Sequence, residues 1–214
     1  MTKNRTMTAL SVLAIAASAL AAPAAFAADK DSGWMIRARA VGVVPDEGGS
    51  TSIGGKPQID NSVVPEIDIS YFFNESTAVE LILATTPHDA QVKGSALGNV
   101  DLGDVWLLPP TLLLQHHFVS DSKFKPYVGA GVNYTFFYGE DTPNSGPVTQ
   151  IDYDDGFGFA LQAGVDYHYK DNWYLNLDVK HIWLDTDVLV NNGGVTAKVD
   201  IDPWLIGLGV GYRY

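Results

Sequence analysis

Apolar and polar residues alternate along most of this chain with the period of two that an extended strand imposes, since successive side chains of a strand point to opposite faces. The clearest stretch is 203–214, where Trp204, Ile206, Leu208, Val210, Tyr212 and Tyr214 share one face. Leu205, Gly207, Gly209, Gly211 and Arg213 share the other. Residues 34–44 set Trp34, Ile36, Ala38 and Ala40 against Met35, Arg37, Arg39, Val41 and Val43. Residues 63–73 set Ile67, Ile69, Tyr71 and Phe73 against Val64, Glu66, Asp68, Ser70 and Phe72. The same form recurs in 77–85, 111–118, 125–138, 156–169 and 173–184, which gives eight strands. In most of them one face is apolar or aromatic and the other carries charges and glycines. A soluble sheet turns its apolar face inward; strands with a polar, glycine-bearing inner face suit a barrel whose apolar side meets lipid.

The connections support that arrangement. Tight turns at 74–76, 120–123 and 170–172 alternate with long connections at 45–62, 86–104, 139–155 and 186–198, rich in Gly, Pro, Asn and Asp. Trp34, Tyr71, Phe73, Phe118, Tyr167, Trp173, Tyr212 and Tyr214 sit at strand ends beside the tight turns, where an interfacial aromatic girdle belongs. The pattern predicts an all-β fold, an eight-stranded antiparallel transmembrane β-barrel with short periplasmic turns and long extracellular loops. The glycines and terminal aromatic of 203–214 resemble the C-terminal signal by which the outer-membrane assembly machinery recognises its clients. That machinery is therefore an expected partner.

The amino terminus adds an export signal. Lys3 and Arg5 precede an alanine- and leucine-rich run over 9–22, and Ala25-Phe26-Ala27 offers a small-x-small cleavage site. Residues 1–27 are expected to be removed and 28–214 to form one exported barrel domain, placed in the outer membrane. No later apolar run reaches the roughly 20 residues of a spanning helix. The chain has no cysteine, so neither disulfides nor thiolate metal sites contribute. A net charge of -12 argues against nucleic acid as a partner.

Distance from the tight turns sorts the inward residues by height. A lower zone contains Arg37, Arg39, Asp68, Glu80, Gln115, His117, Asp166, His168, Asn176, Asp178 and Arg213. Opposite charges inside a narrow barrel must pair, because an unpaired buried ion costs several kcal/mol; this zone is expected to be a plug. An upper zone, with Val41, Val43, Val64, Ile82, Leu113, Phe137, Ile182, Leu184 and Leu205, is expected to line an apolar funnel. Lys180 falls on the boundary, to complete the plug or to line the funnel. Pro65, Pro109, Pro110 and Pro203 each remove a ladder donor near the outer rim, either as a lateral exit or simply as strand ends.

Four segments in order, Leu107 to Leu112 with Pro109-Pro110, Lys123 to Tyr134, Gly164 to Tyr167, and Asp202-Pro203-Trp204 with the Gly211 to Tyr214 end, resemble the OmpW family. The resemblance spans nearly the whole exported chain. It implies an eight-stranded outer-membrane barrel of Gram-negative bacteria that lets small hydrophobic compounds across. With the apolar upper zone, it leads to an expected passive channel in which a hydrophobic ligand enters from outside and leaves laterally into the bilayer. The alternative is a non-conducting barrel acting through its loops as receptor, adhesin or envelope-stabilising protein. Outer-membrane lipid and lipopolysaccharide are expected neighbours, and a monomer is expected because a closed barrel satisfies its own backbone. No residue pattern supports catalysis, and no cofactor or metal is expected. The carboxylates Glu80, Asp166 and Asp178 are read as ion pairs, and Asp152-Tyr153-Asp154-Asp155 as a solvated acidic loop. His116 and His117, being adjacent, face opposite sides.

Overall fold

The computed structural model describes residues 33–143 and 146–214. The expected signal peptide at 1–27 lies outside them. Among the described residues there are fifteen strands: β1 (Gly33–Val44), β2 (Gly48–Thr51), β3 (Lys56–Ile59), β4 (Ser62–Phe72), β5 (Thr77–Ala84), β6 (Thr86–Ser95), β7 (Gly98–Leu108), β8 (Thr111–His117), β9 (Phe124–Asp141), β10 (Ile151–Tyr153), β11 (Gly156–Lys170), β12 (Trp173–Trp183), β13 (Asp185–Val190), β14 (Val195–Asp200) and β15 (Trp204–Arg213).

Eight of these, β1, β4, β5, β8, β9, β11, β12 and β15, form a closed antiparallel ring in which β9 pairs with β11 and β15 returns to β1. The closing seam runs from Met35 opposite Arg213 to Val44 opposite Trp204. The alternation sets which face is which: Arg37, Arg39 and Val41 are buried, while Ile67, Leu161, Leu177 and Leu208 are exposed on the outside. Both rims carry aromatic pairs. Trp34 with Tyr71 (4.9 Å), Phe124 with Tyr167 (5.0 Å) and Trp173 with Tyr212 (5.1 Å) mark the periplasmic end. Trp183 and Trp204, with His181 edge-on to the first and stacked on the second, and Phe157 with Phe159 mark an upper girdle.

The glycines of the last strand are explained by the first. A Cβ at Gly209 would stand 2.6 Å from Arg39 Cγ, and one at Gly211 would stand 2.7 Å from Met35 Cε. Their absence makes room for the arginine stems of β1.

The long connections differ from the expected irregular loops. They fold as strands that extend the wall outward: β9, 18 residues long, passes the rim and carries β7, β6 and β3 beside it, while β10, β13, β14 and β2 form a second sheet. The cause is a second, weaker alternation. Thr86, His88, Ala90 and Val92 of β6, and Val100, Leu102, Val105 and Leu107 of β7, are buried.

Candidate functional site: a charged lower bore beneath an apolar upper one

The lower bore is filled by one polar network. Arg37 of β1 reaches across to β11, giving Nε and Nη2 to the two oxygens of Asp166 at 3.2 and 2.7 Å. Its Nη1 donates to Asp68 (3.0 Å), Ser70 (2.8 Å) and Glu80 (3.3 Å). Arg39, one step higher on the same face, lies 2.6 Å from Asp68, 2.9 Å from Glu66 and Glu80, and 3.3 Å from Asp178. Lys180 completes the set with Glu66 at 2.9 Å and Asp178 at 2.6 Å. Five carboxylates thus meet three cations, and amide donors serve them further. Gln115 and Gln162 both donate to Glu80 at 2.8 Å, and Asn176 donates to Asp166 at 2.8 Å. Ions in such a place are stable only when each finds opposite charge and hydrogen bonds.

The structure brings together Arg37, Arg39, Asp68, Glu80, Asp166, Asp178 and Lys180, and it places Lys180 in the network rather than with the apolar lining. Arg213 stands lower, its guanidinium 4.0 Å from the Phe72 ring centroid, at the wall of a periplasmic cavity of about 690 Å³. Glu66 is a network member that sequence reasoning sets on the inward face without marking; its position two residues from Asp68, on the same face, is the signal. Tyr127 was also missed. It accepts from Asn176 at 3.0 Å and stacks on His117 at 4.8 Å, and its ring covers Gly164, where a Cβ would come within 2.4 Å.

Above this network the bore is apolar. Val41, Val43, Val64, Ile82, Leu113, Phe137, Ile182, Leu184 and Leu205 belong to one cluster, together with Val105, Leu107, Ile151 and Val188 of the extracellular strands. Each of the nine is at most 8 % exposed. The expected funnel lining is therefore packed in this conformation, because the extracellular strands cover it with apolar side chains of their own. The acidic segment is part of that cover: Asp155 accepts from the Phe137 amide at 3.0 Å, and the Tyr153 ring stacks on Phe137 at 5.5 Å.

The four prolines separate into two places. Pro203 ends its strand: pairing continues to Trp204 on both sides, and the Pro203 carbonyl accepts from Ile182. Pro65, Pro109 and Pro110 converge on the junction of β5 and β6. The β4–β5 ladder stops at Ala84, with Pro65 next in line opposite Thr85. Pairing of β5 with β8 stops at Ile82 opposite Thr111 and resumes only at Thr86 opposite Leu107. Leu83, Ala84 and Thr85 thus face Leu108, Pro109 and Pro110 across a lapse in the ladder. The other side of the proline pair is well tied. Tyr134 donates its amide to Pro110, and the Asn133 side chain donates to Pro109 O (3.2 Å), Pro110 O (3.3 Å) and Thr111 Oγ1 (2.9 Å).

A closed eight-stranded ring with an apolar outer band, aromatic rims and a charged, filled bore defines a small outer-membrane β-barrel. The chain belongs to the OmpW family, whose model matches residues 31–214. It is 45 % identical over 190 residues to an uncharacterised outer-membrane protein, y4mB, of Sinorhizobium fredii, covering 86 % of this chain and 80 % of that one. It is 36 % identical to outer membrane protein W of Salmonella typhi, over 97 % of this chain and all of that one. Among solved structures, the outer membrane protein OprG of Pseudomonas aeruginosa superposes with a TM-score of 0.77 at 30 % identity, covering 85 % of this chain and 96 % of that one.

Proposed function

We propose that this barrel mediates passive uptake of small hydrophobic molecules, received by the apolar upper bore and released sideways into the bilayer. The vertical order of the interior carries this reading: nine apolar residues in one cluster stand above a salt-bridged network within the same ring. An apolar solute gains roughly 25 cal/mol for each Å² it removes from water in the upper zone. Downward passage would require breaking buried ion pairs, a cost of several kcal/mol per ion. The wall is the easier way out. Its weakest stretch is the lapse beside Pro65, Pro109 and Pro110, where missing ladder bonds leave least to break. Because the upper zone is packed, loading requires the extracellular strands to part.

The packing also favours a second reading, a non-conducting barrel that acts through its extracellular sheets. Influx into liposomes separates the two. Vesicles carrying the purified barrel should take up an apolar fluorescent solute faster than protein-free vesicles while a hydrophilic solute of similar size is unaffected. No acceleration of either solute would leave the second reading.

A further inference from the structure

The lapse in the wall is bridged from outside. The Thr85 hydroxyl and the Tyr138 hydroxyl are hydrogen-bonded, although 53 residues and one intervening strand separate them. Thr85 is the single residue between β5 and β6; Tyr138 is on β9, opposite Trp106 of β7. In strand order β7 lies between the two, so the Tyr138 side chain reaches across it to the far lip of the lapse. Leu108, which alternation turns toward lipid, is buried, as suits a position between the two hydroxyl partners.

Resting on the lateral release proposed above, we infer that the Thr85–Tyr138 hydrogen bond is a strap that holds the wall shut over the lapse and sets how readily a solute leaves. Three features fit that role. The strap spans the one side of Pro109-Pro110 that lacks ladder bonds, whereas Asn133 and Tyr134 secure the other side independently. Breaking it therefore frees the β5–β6 lip without unfolding β8 or β9. Tyr138 is followed by Gly139 at φ 62°, a left-handed turn of the backbone that a side chain rarely adopts, and a Cβ there would stand 3.2 Å from the Trp106 ring. The glycine thus lets Tyr138 and Trp106 lie side by side, their ring centroids 6.3 Å apart. Finally, both hydroxyls sit on the outer face at the aromatic rim, where lipid headgroups and water offer alternative partners, so opening leaves no hydroxyl stranded.

The test uses the full barrel in liposomes, with the heat-modifiable band on a gel confirming that each variant is folded. Y138F keeps the ring and T85V keeps the shape; each removes one hydroxyl. Either should raise influx of the apolar solute by roughly two- to tenfold, the population shift expected from losing one net hydrogen bond. The double variant should gain no more than the larger single. Because the chain has no cysteine, T85C/L108C supplies a single thiol pair at positions that the flanking register sets face to face. Its reduced form should match T85V, and oxidation should return influx to the protein-free rate. Unchanged influx in both Y138F and T85V, with a staple that still blocks, overturns the strap while lateral release stands. A staple that leaves influx at the wild-type rate overturns release at this place, and the strap with it.

Discussion

In the lower bore Arg37 alone has four side-chain partners on three other strands, each at a set distance and angle. A few residues up the same strand, Val41 and Val43 belong to an apolar cluster, whose contacts attract without direction. The two halves are equally buried, but they respond to disturbance in opposite ways. A hydrogen-bonded ion network has one good arrangement and loses several kcal/mol when a partner moves. An apolar cluster can repack or admit another apolar body at small cost, since volume and patterning matter more than identity. The proposed uptake would call on those contrasting properties, one for a seal and one for a receiving zone, and one strand, β1, carries residues of both kinds.

The contrast is broken most severely by R39L, which leaves Glu66, Asp68, Glu80 and Asp178 short of a cation. A loss of about 3–5 kcal/mol is expected, read as a lower urea midpoint of the folded band. G209V forces a branched side chain against the Arg39 stem and should cost about 1–3 kcal/mol by overpacking, with the same readout. I182V, in the upper zone, should cost only about 0.5–1.5 kcal/mol and leave solute influx measurable. The smallest effect sharpens the contrast at its outer edge. His88, buried in β6, gives its Nδ1 proton to the Asp60 carbonyl at 3.0 Å, and burial holds the imidazole below its usual range. The folded form resists a second proton that the unfolded form accepts near pH 6.5. Stability of the β3–β6 region is thus full above that pH and falls as the pH drops through it toward the lower folded value. Amide protection in β3 and β6, each exchange rate being taken relative to that of an unstructured peptide at the same pH, should fall below pH 6.5 in the wild type and change less with pH in H88Q.

Much of this was legible in the sequence. Alternation depends only on local geometry, so the inward and outward residues of all eight wall strands follow from counting by twos. Glu66 and Lys180 mark where counting ends. Their height against Asp178 and Arg39 is fixed by the stagger between strands, which appears only in the register. The extracellular strands were obscured for a different reason. With water rather than lipid on their outer side, they need no apolar band, and the glycines and aspartates at their turns look like loop composition. Thr85–Tyr138 joins residues 53 apart through strand order, and nothing local to either announces it.

The closing seam sets an order of events. Met35 cannot meet Arg213 until the last strand has been made, and Arg37 and Asp166 stand 129 residues apart in the chain. Until the ring shuts, five carboxylates and three cations have no enclosure and keep their water. Dehydration of the bore is therefore the final act of assembly: the step that joins the first wall strand to the last is also the step that dries the space between them.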